Sequence, residues 1–444
     1  MTKSFKPMLM ALLAVAFISC SCTGNNPTIV DPQPDAPKAK RFEVFQLLNP
    51  TDIPYRIPAL AAAKDGTLIA VADYRHSGTD IGVTDKGRID LHYRLSHDNG
   101  NTWSEVMTLI NGKGELSPDF MNVGFGDPCI VADRESNRVL LLSCAGNVSF
   151  QNGTRQKHQN IARFYSEDGG KTWGAPEDIA ESIYAQFDNS NYGPVRSMFV
   201  ASGRIMQSHI TKVADYYRLY CAVLVRDKYA KHMNYVLFSD DFGGSWKVLG
   251  NINEPAVYDT ADEPKVEELP NGTIVISSRY NGGRYYNFFT YSDVNAGTGV
   301  WDRATFSGAA NGGVESKDNS TNGEVMLIPV TRVADDKDMY IMLQSVPLGP
   351  NRANVGIYYK ELADEFEDYV SPIEFARNWD GVKQVTSLNS AYSTMAWQAD
   401  NRLGFLFEEE THGASNLAYG GYTIVYECFD VEDLTDGKYI YRKE

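Results

Sequence analysis

The chain has 444 residues, of which 43% are apolar and 22% charged, a composition that allows a large folded core and one to three domains. The formal net charge of −16 at pH 7 argues against a nucleic-acid partner, because phosphate recognition needs clustered lysine and arginine. A small anionic ligand stays compatible with this charge, since a few arginines can dominate the field inside a cleft.

The N-terminal segment has the pattern of an export signal. Two lysines precede the apolar run 8–18, which is too short to span a membrane comfortably. The run ends at Ser-Cys, and a small residue before Cys20 at this point resembles a bacterial lipoprotein signal. We therefore expect residues 1–20 to be a signal peptide and Cys20 to be lipidated, with Cys22 as the weaker alternative. The chain would be exported to the periplasm or the cell surface and would contact a membrane only through this anchor.

Residues 21–41 predict a flexible tether, because proline, asparagine and aspartate dominate them. The folded domain is expected to cover residues 42–444. Its four cysteines offer no metal-binding CxxC pair, and we expect buried free thiols, although one disulfide would be compatible with export. These cysteines are Cys129, Cys144, Cys221 and Cys428.

From Phe42 onward, short apolar runs alternate with turn-forming residues. Examples are the runs 67–71 and 138–142, and Asp-Gly and Asn-Gly pairs separate such runs. No amphipathic pattern extends over four helical turns. The pattern is typical of an all-β domain.

An octapeptide with the template Ser-x-Asp-x-Gly-x-(Thr/Ser)-Trp occurs at residues 96–103, 166–173 and 239–246, and a degenerate fourth copy covers 291–301. The template predicts a β-hairpin in which the aspartate accepts backbone N–H bonds, the glycine supplies a positive φ and the tryptophan packs beneath the turn. A calcium loop is less suitable because the bidentate glutamate of an EF-hand is missing. The copies start 70 and 73 residues apart, which predicts four-stranded blades and a six-bladed β-propeller.

The octapeptides resemble the Asp box of sialidases, and Arg56-Ile57-Pro58 ahead of the first one resembles the Arg-Ile-Pro motif of the same family. The resemblance extends over about residues 50–430. It implies a bacterial exo-α-sialidase, a glycoside hydrolase that acts on sialylated glycoproteins, gangliosides or oligosaccharides. We expect no cofactor, no metal ion in the chemistry and a monomeric protein.

The resemblance also implies that three arginines bind the substrate carboxylate, for which guanidinium groups offer planar bidentate donors. Arg56 and Arg279 match the first two arginines of the family, and Arg352 is the predicted third. Arg332 and Arg377 are alternatives to Arg352.

The expected nucleophile is a tyrosine. Most retaining glycosidases attack with a carboxylate, but the substrate carboxylate would repel a second anion, and sialidases are known exceptions. A phenol with an ordinary pKa of about 10 needs a base. By resemblance, Tyr392 in the segment Asn-Ser-Ala-Tyr-Ser-Thr-Met attacks and Glu263 takes its proton, with Glu267 and Glu268 as alternatives.

Asp80 is the predicted acid/base residue, at the end of the segment Asp-Tyr-Arg-His-Ser-Gly-Thr-Asp. It would protonate the leaving oxygen and then activate a water. The segment is about one residue shorter than the family pattern, and Asp85 and Asp90 are alternatives. Arg75 and Asp127 resemble family residues that contact the hydroxyl side of the sugar.

The last residue that the resemblance implies is a carboxylate behind the first arginine. Glu408 lies sixteen residues after Tyr392 and is expected to pair with Arg56 and to hold its guanidinium in place. Glu409 and Glu410 follow directly, so the sequence leaves the position of this carboxylate uncertain by one residue.

Other functions fit the sequence less well. It has no Gly-x-Ser-x-Gly elbow, no Gly-x-x-x-x-Gly-Lys phosphate loop and no His-Glu-x-x-His zinc motif. A carbohydrate-binding propeller without catalysis would not need the pair of Tyr392 and Glu263. A trans-sialidase, an intramolecular variant or a hydrolase of another ulosonic acid would use the same core residues, so the sequence leaves that choice and the linkage preference open.

Overall fold

Six β-sheets, arranged as blades around one axis, make up the described part of the chain. The computed structural model describes residues 41–84, 87–116, 119–319, 321–363, 369, 371–412 and 421–442. The predicted all-β, six-bladed propeller is therefore confirmed. The expected signal peptide, Cys20, Cys22 and the tether up to residue 40 lie outside the described residues and stay predictions.

Blades 1 to 3 follow one another along the chain. Blade 1 consists of β2 (Tyr55–Ala62), β3 (Leu68–Arg75), β4 (Ile89–Ser96) and β5 (Met107–Ile110). Blade 2 consists of β6 (Phe125–Ala132), β7 (Val139–Ala145), β8 (Asn160–Ser166), β9 (Glu177–Asp178) and, parallel to β6, β11 (Gly203–Arg204). Blade 3 consists of β10 (Ser197–Val200), β12 (Met206–Val213), β13 (Tyr216–Arg226), β14 (His232–Ser239), β15 (Lys247–Val248) and β16 (Val257–Tyr258).

Blades 4 to 6 complete the ring. Blade 4 consists of β17 (Pro264–Glu268), β18 (Ile274–Tyr280), β19 (Gly283–Asp293), β20 (Thr298–Trp301) and β21 (Thr305–Gly308). Blade 5 consists of β22 (Val325–Arg332), β23 (Lys337–Pro347), β24 (Val355–Ala363), β25 (Gly381–Gln384) and β29 (Tyr439–Tyr441). Blade 6 consists of β26 (Ser390–Trp397), β27 (Leu403–Glu410), β28 (Tyr422–Phe429) and β1 (Phe42–Phe45). The first strand of the described chain thus pairs with the last blade and closes the ring.

The helices are short, as the sequence predicts. They are α1 (Ala180–Phe187), α2 (Pro372–Ala376) and α3 (Val431–Leu434), with 3-10 helices at Gly114–Leu116, Met121–Val123 and Ala309–Asn311. Within the described ranges, no helix combines the length and the apolar character that crossing a membrane requires.

Apolar side chains fill the spaces between neighbouring blades. Among the described residues, one such cluster lies between each pair of adjacent blades, including blades 6 and 1. Middle strands therefore bury both faces, and all residues of β7 are buried. The prediction of buried free thiols is confirmed for three cysteines in the cluster between blades 2 and 3, which are Cys129, Cys144 and Cys221. Cys428 is also a free thiol but is only half-buried.

The predicted hairpins form as the octapeptide template requires. In the second copy, Asp168 accepts hydrogen bonds from the Thr172 amide at 2.9 Å and from the Thr172 hydroxyl at 2.6 Å. The Ser166 hydroxyl donates to Asp168 at 2.8 Å and accepts from the Gly170 amide at 2.8 Å. The other two copies make the same contacts. One carboxylate and one hydroxyl thus satisfy the polar backbone of the turn.

The template glycine also fixes the spacing between blades. Gly170 has a φ of +86°, and a Cβ there would lie 2.7 Å from Ile69 of blade 1. Gly100 has a φ of +87° and packs in the same way against Tyr426 of blade 6. The third copy repeats this contact against blade 2. Glycine is therefore required both by the backbone conformation and by the close approach of the preceding blade.

The backbone at Gly203 packs closely against side chains of three other blades. Residues 201–205 interrupt the inner strand of blade 3 between β10 and β12, and a Cβ on Gly203 would lie within 3.1 Å of these three side chains. These are Lys265, Glu324 and Thr394, of which the first two form a buried ion pair at 3.4 Å. A pocket lies where the inner strands begin, and a separate cavity of about 430 Å³ lies where they end.

We expect Asp168→Ala to lower the free energy of unfolding by about 1–2 kcal/mol, because the amide and hydroxyl donors of the turn lose a charged acceptor. Urea denaturation would measure the change. Asp215→Ala, at an exposed position between β12 and β13, is the control and should change stability by less than about 0.5 kcal/mol. Equal stabilities of the two variants would contradict a stabilising role for this turn.

Candidate active site

Breaks in strand register shape the pocket where the inner strands begin. They interrupt β2, β6 and β26 near their first residues. Ile57 in β2 and Asp127 in β6 each precede a proline and each have a φ of +54°. This conformation is strained for a β-branched residue and is typical of places where a side chain is re-aimed for function. Arg56, Asp127 and Tyr392 lie at these breaks and line one pocket of about 180 Å³.

Three guanidinium groups surround one tyrosine. Arg279 donates from Nη1 to the Tyr392 hydroxyl at 3.1 Å. The guanidinium carbons of Arg56 and Arg352 each lie 5.9 Å from the centre of the Tyr392 ring. The structure thus brings together the three predicted arginines from blades 1, 4 and 5. Such a concentration of guanidinium groups suits a ligand that carries a carboxylate.

Tyr392 and Glu263 form a hydrogen-bonded pair in this pocket. The Tyr392 hydroxyl donates to Glu263 Oε1 at 2.9 Å, and Glu263 Oε2 lies 3.0 Å from Arg279 Nη1. Burial raises the pKa of Tyr392 well above its ordinary value, the charge of Glu263 acts in the same direction, and Arg279 opposes both. The phenol is therefore protonated at neutral pH, and Glu263 is placed to take its proton.

Glu408 holds the first arginine and the tyrosine backbone together. Its carboxylate accepts hydrogen bonds from Arg56 Nε at 2.7 Å, from the Ile57 amide at 2.8 Å and from the Tyr392 amide at 3.0 Å. The side chain has no exposed surface. A buried carboxylate is stable only when donors surround it, and here they fix its position between blades 1 and 6.

Arg75 binds three carboxylates beside the pocket. It donates to Asp73 from Nε at 3.0 Å and from Nη2 at 2.8 Å, it donates to Asp80 from Nη1, and its Nη2 lies 3.5 Å from Asp127 Oδ1. Burial raises the pKa of Asp73 and of Asp127, whereas Arg75 lowers the pKa of Asp80. The Asp80 side chain is 69% exposed, so it is the member of the cluster that a substrate can reach most easily.

The alternative glutamates have other partners. Glu267 and Glu268 line the cavity on the far side of Gly203 and bond to groups there. Glu409 and Glu410 bond to side chains outside the pocket. Neither pair replaces Glu263 beside the tyrosine or Glu408 beside the first arginine.

The remaining alternatives for the acid and for the third arginine lie outside the pocket or outside the described residues. Asp90 accepts hydrogen bonds from Arg88 and from a backbone amide, which is a structural arrangement at the edge of blade 1. Arg332 and Arg377 form ion pairs with glutamates and aspartates of blade 5 and α2. Asp85 lies outside the described residues.

Several pocket residues carry no sequence motif, and the sequence analysis missed them. Ile81, Ser149, Phe150, Gln159 and Phe199 form a further part of the wall and come from blades 1 to 3. Gln159 is 3% exposed, and its Oε1 has no hydrogen-bond partner within the described residues. Gln159 thus places an unsatisfied, buried acceptor beside the pocket. No local signal could have found these residues, because their order in the chain does not indicate which loops meet.

The carboxylates of the pocket are bound to arginines. Within the described ranges, no three or more His, Cys, Asp or Glu side chains are grouped so that they could hold a metal ion. The donor set thus favours an anionic organic ligand.

Known proteins with similar sequences are sialidases. A comparison with protein-family models gives no match. The chain is 24% identical over 311 residues to a sialidase of Paraclostridium sordellii, which covers 68% of this chain and 71% of that protein. It is 30% identical over 244 residues to a sialidase of Bacteroides fragilis, which covers 52% of this chain and 40% of that protein. The second match therefore spans less than half of the relative.

Solved structures give the same fold. A Hadza microbial sialidase superposes with a TM-score of 0.65 at 19% identity, over 89% of this chain and 69% of that one. At this identity the structural likeness shows the fold alone. Since the sequence relatives are sialidases, the chain is similar to the sialidase family of glycoside hydrolases.

Proposed function

We propose that this protein is an exo-α-sialidase that cleaves terminal α-ketosidically linked sialic acid from glycoconjugates with retention of configuration. The observation that carries the proposal is the 2.9 Å hydrogen bond from Tyr392 to Glu263 in a pocket surrounded by three arginines. The relatives named sialidase support the general activity.

The arginines would bind the carboxylate on the anomeric carbon. Arg56 is held rigidly by Glu408, and Arg279 by Glu263 and the tyrosine hydroxyl. Fixed guanidinium groups lose little conformational freedom on binding, so they orient the sugar well. Arg352 would complete the set from blade 5, with its guanidinium carbon 5.9 Å from the centre of the Tyr392 ring.

In the first half of the reaction, the Tyr392 oxygen would attack the anomeric carbon while its proton moves to Glu263. The bond from that carbon to the leaving oxygen breaks, and Asp80 gives this oxygen a proton. A neutral phenol can approach the substrate carboxylate without the repulsion that a carboxylate nucleophile would meet. The product is a sialic acid covalently bound to the tyrosine.

In the second half, Asp80 would take a proton from a water molecule as that water attacks the anomeric carbon. The bond to Tyr392 breaks, and the phenolate recovers its proton from Glu263. Two displacements at one carbon give net retention.

The protonation state of Asp80 follows from its neighbours. Arg75 lowers the pKa of Asp80 most, and Arg56 and Arg352 act in the same direction. When the substrate carboxylate neutralises Arg56 and Arg352, their effect weakens and the pKa of Asp80 rises. Because a general acid must be protonated in the complex, kcat should fall as the pH rises through this pKa.

We expect the purified chain to hydrolyse a fluorogenic N-acetylneuraminic acid α-ketoside and Tyr392→Phe to lower kcat by roughly three orders of magnitude or more, because the attacking oxygen is lost. Fluorescence would measure release, and NMR would follow the anomeric configuration of the first product. The matched control is Tyr422→Phe, a buried tyrosine whose ring lies 5.1 Å from the Arg56 guanidinium. This control should stay within a few-fold of the wild type.

Equal rates for the wild type and Tyr392→Phe would contradict the nucleophile assignment. If the folded wild type releases no fluorophore, the activity itself is contradicted for this sugar, and another ulosonic acid or a binding propeller becomes the better hypothesis. Transfer products or an anhydro sugar would indicate a trans-sialidase.

We expect Asp80→Asn to lower kcat/KM on sialyllactose by roughly 10²–10⁴-fold, because lactose is a poor leaving group without a proton. On the 4-methylumbelliferyl ketoside, whose leaving group needs little protonation, the loss should be much smaller. Asp85→Asn serves as the control and tests the alternative acid directly. The same loss on both substrates would contradict a role for Asp80 as the general acid.

We expect Glu408→Ala to lower the free energy of unfolding by about 3–5 kcal/mol, because Arg56 becomes a buried charge without its partner. Urea denaturation measures this change. Glu410→Ala, two residues along the same strand, should cost less than about 1 kcal/mol. If both variants were equally stable, Glu408 would not be the residue that holds Arg56.

A further inference from the structure

A buried aspartate beside the pocket joins blade 1 to blade 2. Asp73 in β3 has no exposed surface. Its Oδ2 accepts hydrogen bonds from Arg75 Nε at 3.0 Å and from Arg75 Nη2 at 2.8 Å, and its Oδ1 accepts one from the Asp127 amide at 2.9 Å. One carboxylate therefore fixes a side chain of its own strand and the backbone of the next blade.

The backbone of blade 2 is shaped around this carboxylate. Asp127 has a φ of +54° and lies where the pairing of β6 with β7 is interrupted, between Gly126 and Cys129. A buried amide at such a break needs another acceptor, and Asp73 supplies it. A Cβ on Gly126 would lie 3.1 Å from Asp73 Oδ2, so a larger residue there would press on the carboxylate.

The other end of the Arg75 guanidinium contacts Asp80. Arg75 Nη1 donates to Asp80 Oδ1. The Asp80 side chain is 69% exposed, and an exposed ion pair alone restrains a side chain weakly. A guanidinium is planar and rigid, however, so the two hydrogen bonds to Asp73 that fix Nε and Nη2 also fix the direction of Nη1. The position of Asp80 therefore depends on a carboxylate that is itself buried.

We propose that Asp73 is a positioning residue for the general acid of the reaction. Asp73 holds Arg75, and Arg75 holds Asp80 where the leaving oxygen would be protonated. The inference rests on the proposed function, in which Asp80 is the acid. Since Asp73 is fully buried, the substrate cannot touch it, and its effect would reach the reaction only through Arg75 and the Asp127 backbone.

We expect Asp73→Asn to lower kcat/KM on sialyllactose by roughly 10–100-fold, because a small misplacement of a reacting group is enough for such a loss. Asparagine has the same shape, but its amide nitrogen donates where a carboxylate oxygen accepted, so one of the present donors loses its partner. The loss on the 4-methylumbelliferyl ketoside should be much smaller, because that leaving group needs little protonation. Effects on the binding of the sugar are common to both substrates and cancel in the ratio of the two kcat/KM values.

A cycle of variants separates positioning from a general loss of structure. It compares kcat/KM on sialyllactose for the wild type, Asp73→Asn, Asp80→Asn and the double variant. If Asp73 acts through Asp80, adding Asp73→Asn to Asp80→Asn should lower the rate by less than about threefold. A structural defect would instead lower both backgrounds by the same factor.

The matched control is Asp240→Asn in blade 3. Asp240 accepts hydrogen bonds from Nε and Nη2 of the buried Arg218 at 2.6 Å and 2.9 Å, as Asp73 does from Arg75. This variant should leave the ratio of the two substrates unchanged even if it lowers stability. Arg75→Lys is a second variant that breaks the same link, because an ammonium lacks the planar fork, and it should change the ratio in the same direction as Asp73→Asn.

Three results would overturn the proposal. A folded Asp73→Asn could keep the wild-type ratio of the two substrates, or it could slow the Asp80→Asn enzyme as much as it slows the wild type. If neither Asp73→Asn nor Arg75→Lys folds, Asp73 is assigned to stability alone. An inactive wild type, or an Asp80→Asn variant that loses the same factor on both substrates, would instead contradict the proposed function, so the two failures are distinguishable.

Discussion

The carboxylate of Glu408 joins the last blade to the first at the place where the proposed reaction occurs. It belongs to blade 6 and binds the Arg56 side chain, 352 positions earlier in the chain, together with the Tyr392 amide of its own blade. The charge is tolerated in the interior only because these donors surround it. Closure of the ring, the orientation of the first arginine and the placement of the tyrosine therefore depend on one another.

The arginines around Tyr392 and the carboxylates around Arg75 lie in different parts of the pocket. Three guanidinium groups lie around the tyrosine ring, while Arg75 gathers Asp73, Asp80 and Asp127 at the other side. An acidic protein with a net charge of −16 can thus attract an anion into one small cavity. In the proposed reaction, the same separation would keep the carboxyl group of Asp80 close to the leaving group without neutralising the arginines.

The fold could be predicted from the sequence because its turns are locally encoded. The contacts of Asp168 with Thr172 lie within four residues, so the template reveals them. The packing of Gly170 against Ile69 is a contact between blades, and no local pattern reveals it. The choice of Glu408 over Glu409 needed the pairing of β27 with its neighbours, since adjacent strand residues point to opposite faces. Gln159 stayed hidden because it belongs to no motif.

The close packing at Gly203 has a consequence for how this protein can change. The pocket and the opposite cavity are built by the two ends of the same inner strands, and the contacts of Gly203 with a buried ion pair lie between these ends. None of the residues that line the far cavity, Trp397 and Tyr441 among them, lines the pocket around Tyr392. Substitutions in the far cavity would therefore alter that face of the protein while leaving the residues of the proposed reaction in place.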